Sequence, residues 1–167
     1  MIFILVLSAI CIGVLLLFRY NKTHYSSAPI LFRDLVTYEP ELVITEYLKI
    51  IREDESNIDA YLSLAQVFRE QGDYKQSIGM HKNLLNRDNL SKDNRNLIYY
   101  ELAKDYYSAG LYDQAEYLFM EIYNNVINKN TIIVNLIKIY EIGSDWHKAT
   151  DFYHRLSERY KTRFNGA

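Results

Sequence analysis

One pattern recurs three times along this chain, and it limits the fold more than anything else in the sequence. Leu64-Ala65 is followed by Phe68, Gly72-Asp73-Tyr74 and Ser77. Leu102-Ala103 is followed by Tyr106, Gly110-Leu111-Tyr112 and Ala115, and Leu136-Ile137 by Tyr140, Ser144-Asp145-Trp146 and Ala149. Equivalent residues Ala65, Ala103 and Ile137 lie 38 and then 34 residues apart. Self-similarity at such a period means helix-turn-helix units that bury their apolar faces on one another, because one unit cannot do so alone. Within each copy the residues fall at helical spacing, and small residues such as Ala65 and Ser77 sit where two helix backbones approach closely. A larger side chain there forces the helices apart.

The order large, small, aromatic, glycine, aromatic, small resembles the tetratricopeptide repeat. The expected class is all-α: an N-terminal transmembrane helix followed by a tetratricopeptide-repeat solenoid. Sixteen Tyr with only two Pro and six Gly suit aromatic knobs packed between helices. The divisions expected are a membrane anchor over 1–18, a juxtamembrane linker over 19–34 and a degenerate repeat over 35–56. Repeat one then covers 57–90, repeat two 91–130, repeat three 131–160, and 161–167 opens a further, truncated helix. Pro40 suits the first position of a helix, with Val43, Tyr47, Leu48, Ile50 and Ile51 following at helical spacing. Between repeats one and two, polar Asn86 to Asn94 holds four extra residues, expected as a loop or a lengthened helix start capped by Ser91 or Asp93. Gly79 in mid-helix costs about 1 kcal/mol against Ala, and a close contact is the only reason the sequence offers for it.

Met1 to Phe18 carries no charge and one hydroxyl, Ser8. As a helix it is about 27 Å long, enough to cross a bilayer core. No Lys or Arg precedes it and no small-residue cleavage site follows, which favours an uncleaved anchor over a signal peptide. Arg19, Lys22 and Arg33 lie on its C-terminal side, so the expected topology is single-pass, with the N-terminus outside and the body in the cytoplasm.

The net charge of −2 supplies no field toward nucleic acid. The one cysteine, Cys11, allows neither an internal disulfide nor a cysteine-based zinc site. No phosphate loop, nucleophile elbow or His-Glu-x-x-His occurs, so no catalytic residue, cofactor or metal is expected. His147 and His154 share a helix without a third ligand, and His81 takes a place usually held by a packed aromatic.

What remains is the groove lined by the first helices of the repeats. Asp59, Leu62, Gln66, Arg69 and Glu70 face it from repeat one. Leu97, Tyr100, Lys104, Tyr107 and Ser108 do so from repeat two, and Val134, Lys138 and Glu141 from repeat three. The protein-binding candidates are Gln66, Arg69, Tyr100, Lys104, Tyr107 and Lys138. Arg69, Lys104 and Lys138 would form a basic ladder suited to an acidic or C-terminal peptide. The alternative is a solvated groove with ordinary charges. At the far end, Phe152, Leu156 and Tyr160 lack an expected neighbour. Either the chain is a piece of a longer one, or a partner covers that end, a homo-oligomeric contact included.

Several runs resemble the lipopolysaccharide assembly protein B family. They are Asn57 to Ala65, Phe68 to Asp73, His81 to Leu85, Ala109 to Glu116 and Ile139 through Ala149. The resemblance covers roughly residues 40 to 158, and the anchor in kind. It implies a Gram-negative inner-membrane protein whose repeats contact client proteins and whose anchor keeps it near a protease. Members act as adaptors promoting proteolysis of the deacetylase LpxC by FtsH, which balances lipopolysaccharide against phospholipid synthesis. They continue with further repeats and a rubredoxin-like metal domain bearing two Cys-x-x-Cys pairs. None of that is in this sequence, so no metal role carries over. The rival expectation is a generic membrane-anchored repeat scaffold for another membrane complex.

Overall fold

The computed structural model describes residues 39–125 and 129–164. The expected anchor, the linker and the head of the degenerate repeat, residues 1–38, lie outside the described residues, as do 126–128 and 165–167. Among the described residues no helix is long and apolar enough to cross a membrane.

The described residues form helices and no strand: α1 Pro40–Glu53, α2 Ile58–Glu70, α3 Tyr74–Leu85, α4 Lys92–Ser108, α5 Tyr112–Tyr123, α6 Asn130–Ile142 and α7 Trp146–Phe164. Each packs on the next, and α2 also touches α4, as first helices of adjacent repeats do in a solenoid. Pro40 opens α1, where its missing N–H costs nothing. Tyr47 of α1 is buried and hydrogen-bonds Ser63 of α2.

The recurring pattern reappears as one turn built three times. Gly72, Gly110 and Ser144 take left-handed φ values of 82°, 75° and 56°. The amides of Asp73, Leu111 and Asp145 donate back to the carbonyls of Phe68, Tyr106 and Tyr140 at 2.9, 2.8 and 2.8 Å. This closes each first helix by satisfying a carbonyl its own ladder leaves free. In the third copy the glycine stands one place early: Gly143 has an ordinary helical φ of −77°, and Ser144 carries the left-handed turn. The next residue starts the second helix. Asp73 and Asp145 accept from the amides of Gln76 and Lys148, each at 3.1 Å. Leu111, at the same place in the middle copy, caps nothing and is exposed.

The small residues lie where the spacing puts them: Ala65, Ser77, Ala103 and Ala115 are fully buried. Around Ala103 and Ala115, the side chains of Leu102, Phe119, Ile122, Ile133, Leu136, Ile137, Tyr140 and Phe152 form a continuous core through α4 to α7, each such side chain contributing about 1.5–3 kcal/mol on burial. The four extra residues lengthen a helix start: α4 has 17 residues against 13 in α2 and α6. Ser91 is its cap, accepting from Asn94 at 3.1 Å.

Three expectations change. A Cβ added at Gly79 would meet no atom within 4 Å, so a close contact is not the reason for that glycine. No new helix opens at Lys161, because α7 runs unbroken from Trp146 to Phe164. Phe152 does not lack a neighbour: it is buried, its ring 5.7 Å from that of Tyr123 and 5.5 Å from that of Tyr140. Trp146, Tyr153 and Tyr160 are exposed aromatics of that helix.

Candidate functional site

The face carried by α2, α4 and α6 was the expected binding surface, and its charged residues are arranged differently from a ladder. Arg69, near the end of α2, is only 8% exposed. One guanidinium nitrogen donates to Asp105 Oδ1 at 2.7 Å and the other to Glu101 Oε2 at 2.9 Å, both on α4. Lys104 reaches both oxygens of Glu101 at 3.0 Å. On the far side of Asp105, His81 of α3 faces Oδ2 at 2.5 Å through Nδ1. A carboxylate only accepts, so the imidazole proton on that side belongs to Nδ1.

Arg69, His81, Glu101, Lys104 and Asp105 thus form one network that joins α2 and α3 to α4. Burial alone would push Glu101 up, yet Lys104 and Arg69 hold its carboxyl below the usual glutamate range. Burial likewise opposes the Arg69 charge, and Glu101 and Asp105 more than restore it. Taking these charges out of water is expensive, and only the near-complete set of partners makes it tolerable.

Each of the six candidate residues has a definite place. Arg69 belongs to the interior, which corrects the ladder. Lys104 is part-buried on Glu101 and lies 5.5 Å from the centre of the Tyr100 ring. Tyr100 is hydrogen-bonded to Asn135 and Thr131 of α6, and burial and the nearby Glu101 raise its pKa. Tyr107 packs edge-on to Tyr112 at 5.6 Å. Gln66 donates to Glu70 at 2.7 Å on its own helix. Lys138 alone of the six is fully on the surface, and among the described residues it makes no ion pair. The network brings Arg69 and Lys104 together and leaves Lys138 apart. Of the other residues read as groove-facing, Leu62 is buried in the core.

Sequence reasoning missed Glu101 and Asp105 as partners of Arg69, although it placed His81 in the interior. The signal lay in comparing copies. His81 and Asp105 stand where the next copies have Phe119 and Ile139, both buried. Two ionisable residues in two otherwise apolar slots, facing each other across a junction, announce a buried pair.

Ser77, His81 and Asp105 are also the residue types of a nucleophilic triad. All three are fully buried, and Ser77 Oγ and His81 Nε2 have no hydrogen-bond partner, so no substrate reaches them as the helices stand. His147 and His154 are exposed on α7. Among the described residues no three His, Cys, Asp or Glu side chains gather as a metal site.

Elsewhere the second helices carry mixed contacts. Tyr140 donates to Glu116 at 2.9 Å, and burial together with that bond pushes its pKa up. Lys148 lies over the Tyr140 ring at 5.1 Å.

No protein-family model matches the chain. It is similar to lipopolysaccharide assembly protein B of Escherichia coli K12, 30% identical over 122 residues, which cover 73% of this chain and 31% of that protein. The Haemophilus influenzae protein of the same name is 26% identical over 106 residues, covering 64% of this chain and 27% of that one. The chain thus spans less than a third of the length of these relatives. Among solved structures, BtubC from P. vanneervenii aligns with a TM-score of 0.56 and 18% identity, over 81% of this chain and 59% of that one. At that identity the likeness speaks to the helical-repeat fold alone.

Proposed function

We propose that this chain, a partial homologue of lipopolysaccharide assembly protein B, acts by binding proteins rather than by catalysis, as a tetratricopeptide-repeat adaptor in the control of lipopolysaccharide synthesis. The observation that carries the reading is the 30% identity over 122 residues, which takes in most of the described helices. The finer reading is an inner-membrane protein anchored by Met1 to Phe18, its repeats in the cytoplasm, bringing the deacetylase LpxC to the protease FtsH. The uncharged run followed by Arg19, Lys22 and Arg33 supports the anchor and its orientation.

Expression of the full chain in a Gram-negative cell lacking its own lipopolysaccharide assembly protein B tests this. The expected result is a shortened LpxC half-life and capture of FtsH with the chain. An unchanged half-life, with neither protein captured, overturns the specific role. A reporter fused after Ala167 that is active only in the periplasm overturns the orientation.

A second reading is a membrane-anchored scaffold for another complex. The packing favours it, since the buried Ala65, Ser77, Ala103 and Ala115 serve close helix crossings that any repeat scaffold shares. Capture of a different membrane complex, with LpxC untouched, would establish it.

A further inference from the structure

Once Arg69 and Lys104 are committed to Glu101 and Asp105, the one exposed cation left among the six candidates is Lys138 of α6. Val134, Lys138 and Ile142 follow one another at four-residue intervals, so they line one side of the helix. Val134 is 39% and Ile142 49% exposed, and Lys138 stands exposed between them. The carboxylate nearest in sequence on that helix, Glu141, is occupied by the Tyr153 hydroxyl at 2.8 Å. Glu101, on the neighbouring first helix, is held by Lys104 and Arg69. The stripe therefore reads apolar, positive, apolar, with Lys138 in no ion pair among the described residues.

We propose that this stripe seats a helix of a client protein that carries one carboxylate between two aliphatic side chains, a Leu-x-x-x-Glu-x-x-x-Leu face. The proposal rests on the reading that the repeats bind proteins. Four residues of helix advance about 6 Å, so two helices laid side by side bring apolar, charged and apolar positions together in register. Charge complementarity sets the occupant. A single cation gives little to a run of acids, whose remaining carboxylates would lie over Val134 and Ile142 without partners. A second copy is disfavoured for the same reason, because a twofold contact through this stripe would set Lys138 against its own equivalent.

The probes are fluorescein-labelled, alanine-based helical peptides of about 20 residues bearing that face, the same peptide with Glu replaced by Gln, and an oligoglutamate. Binding to the full chain in detergent micelles is read by fluorescence polarisation. The Glu peptide is expected to bind about 5- to 10-fold more tightly than the Gln peptide, the scale of one part-exposed charge-assisted bond, and more tightly than oligoglutamate. Lys138→Ala, at an exposed position, should bring the Glu/Gln ratio to about one, while Lys75→Ala, exposed on α3, leaves it in place. Ile142→Asp should weaken both peptides.

Tighter binding of oligoglutamate, a Glu/Gln ratio that survives Lys138→Ala, or no binding by any peptide overturns the proposal. The LpxC half-life is a separate readout. An unchanged half-life with the peptide ratio intact rejects the adaptor role alone, whereas a shortened half-life with no peptide discrimination rejects the stripe alone.

Discussion

Asp105→Ala removes the group on which the buried network turns. Asp105 has no exposed surface, accepts from Arg69 at 2.7 Å and holds His81 at 2.5 Å. Its loss leaves Arg69 buried with one carboxylate that it already shares with Lys104, and leaves His81 Nδ1 without an acceptor. Breaking a buried pair from one side costs about 3–5 kcal/mol, a large part of the 5–15 kcal/mol that stabilises an ordinary domain. Because the network spans the junction of repeats one and two, the loss falls on the interface between them, and α2 and α3 should unfold ahead of α4 to α7. Urea titration by far-UV circular dichroism gives the total. Hydrogen exchange of the α2 and α3 amides shows whether they now open on their own. The double change Arg69→Met with Asp105→Leu removes both charges and fills the space, and should cost less than Asp105→Ala alone. A loss below about 1 kcal/mol for Asp105→Ala, or a double variant as unstable as the sum of its two single changes, would refute the reasoning.

Other consequences follow from the same contacts. Ser144→Gly relieves a left-handed serine and should stabilise by about 0.5–1 kcal/mol in thermal unfolding, while Gly110→Ala should do the reverse at the equivalent turn. Leu111→Asp supplies the cap that Asp73 and Asp145 give their helices, and should add about 0.5–1.5 kcal/mol, with no gain if the α5 amides are already satisfied. Glu101 is held below its ordinary pKa, so its contribution is complete above about pH 4.3, the unfolded value, and disappears as pH falls through the lower folded value. Unfolding titrations across that acid range should show stability falling, and Glu101→Gln should flatten the slope.

The helices and turns were legible because their causes are local. A left-handed turn needs glycine or a residue forced into its place, a close crossing needs alanine or serine, and both recur at the spacing of the copies. The charges were not legible in the same way. Arg69, Glu101 and Lys104 lie on helix faces where solvent is the usual neighbour, and only the docking of α2 and α3 against α4 decides that Arg69 turns inward. A reading that follows one helix at a time sees Arg69 as a groove cation. Only the junction shows it as a tie, and so Lys138 was left standing alone where a ladder had been expected.

The polar junction also bears on how the copies find their order. Three similar helical pairs in one chain invite mispairing, with repeat one stacking on repeat three in place of repeat two. The places of Glu101 and Asp105 are taken in repeat three by Asn135 and Ile139. Stacked there, Arg69 and His81 would be shut away from water against an amide and an aliphatic chain, at the cost of an unmatched buried charge. Repeat two meets repeat three through Phe119 and the apolar residues of α6 instead. The polar joint thus accepts repeat two and rejects repeat three, so the order of these pairs is written into its polarity.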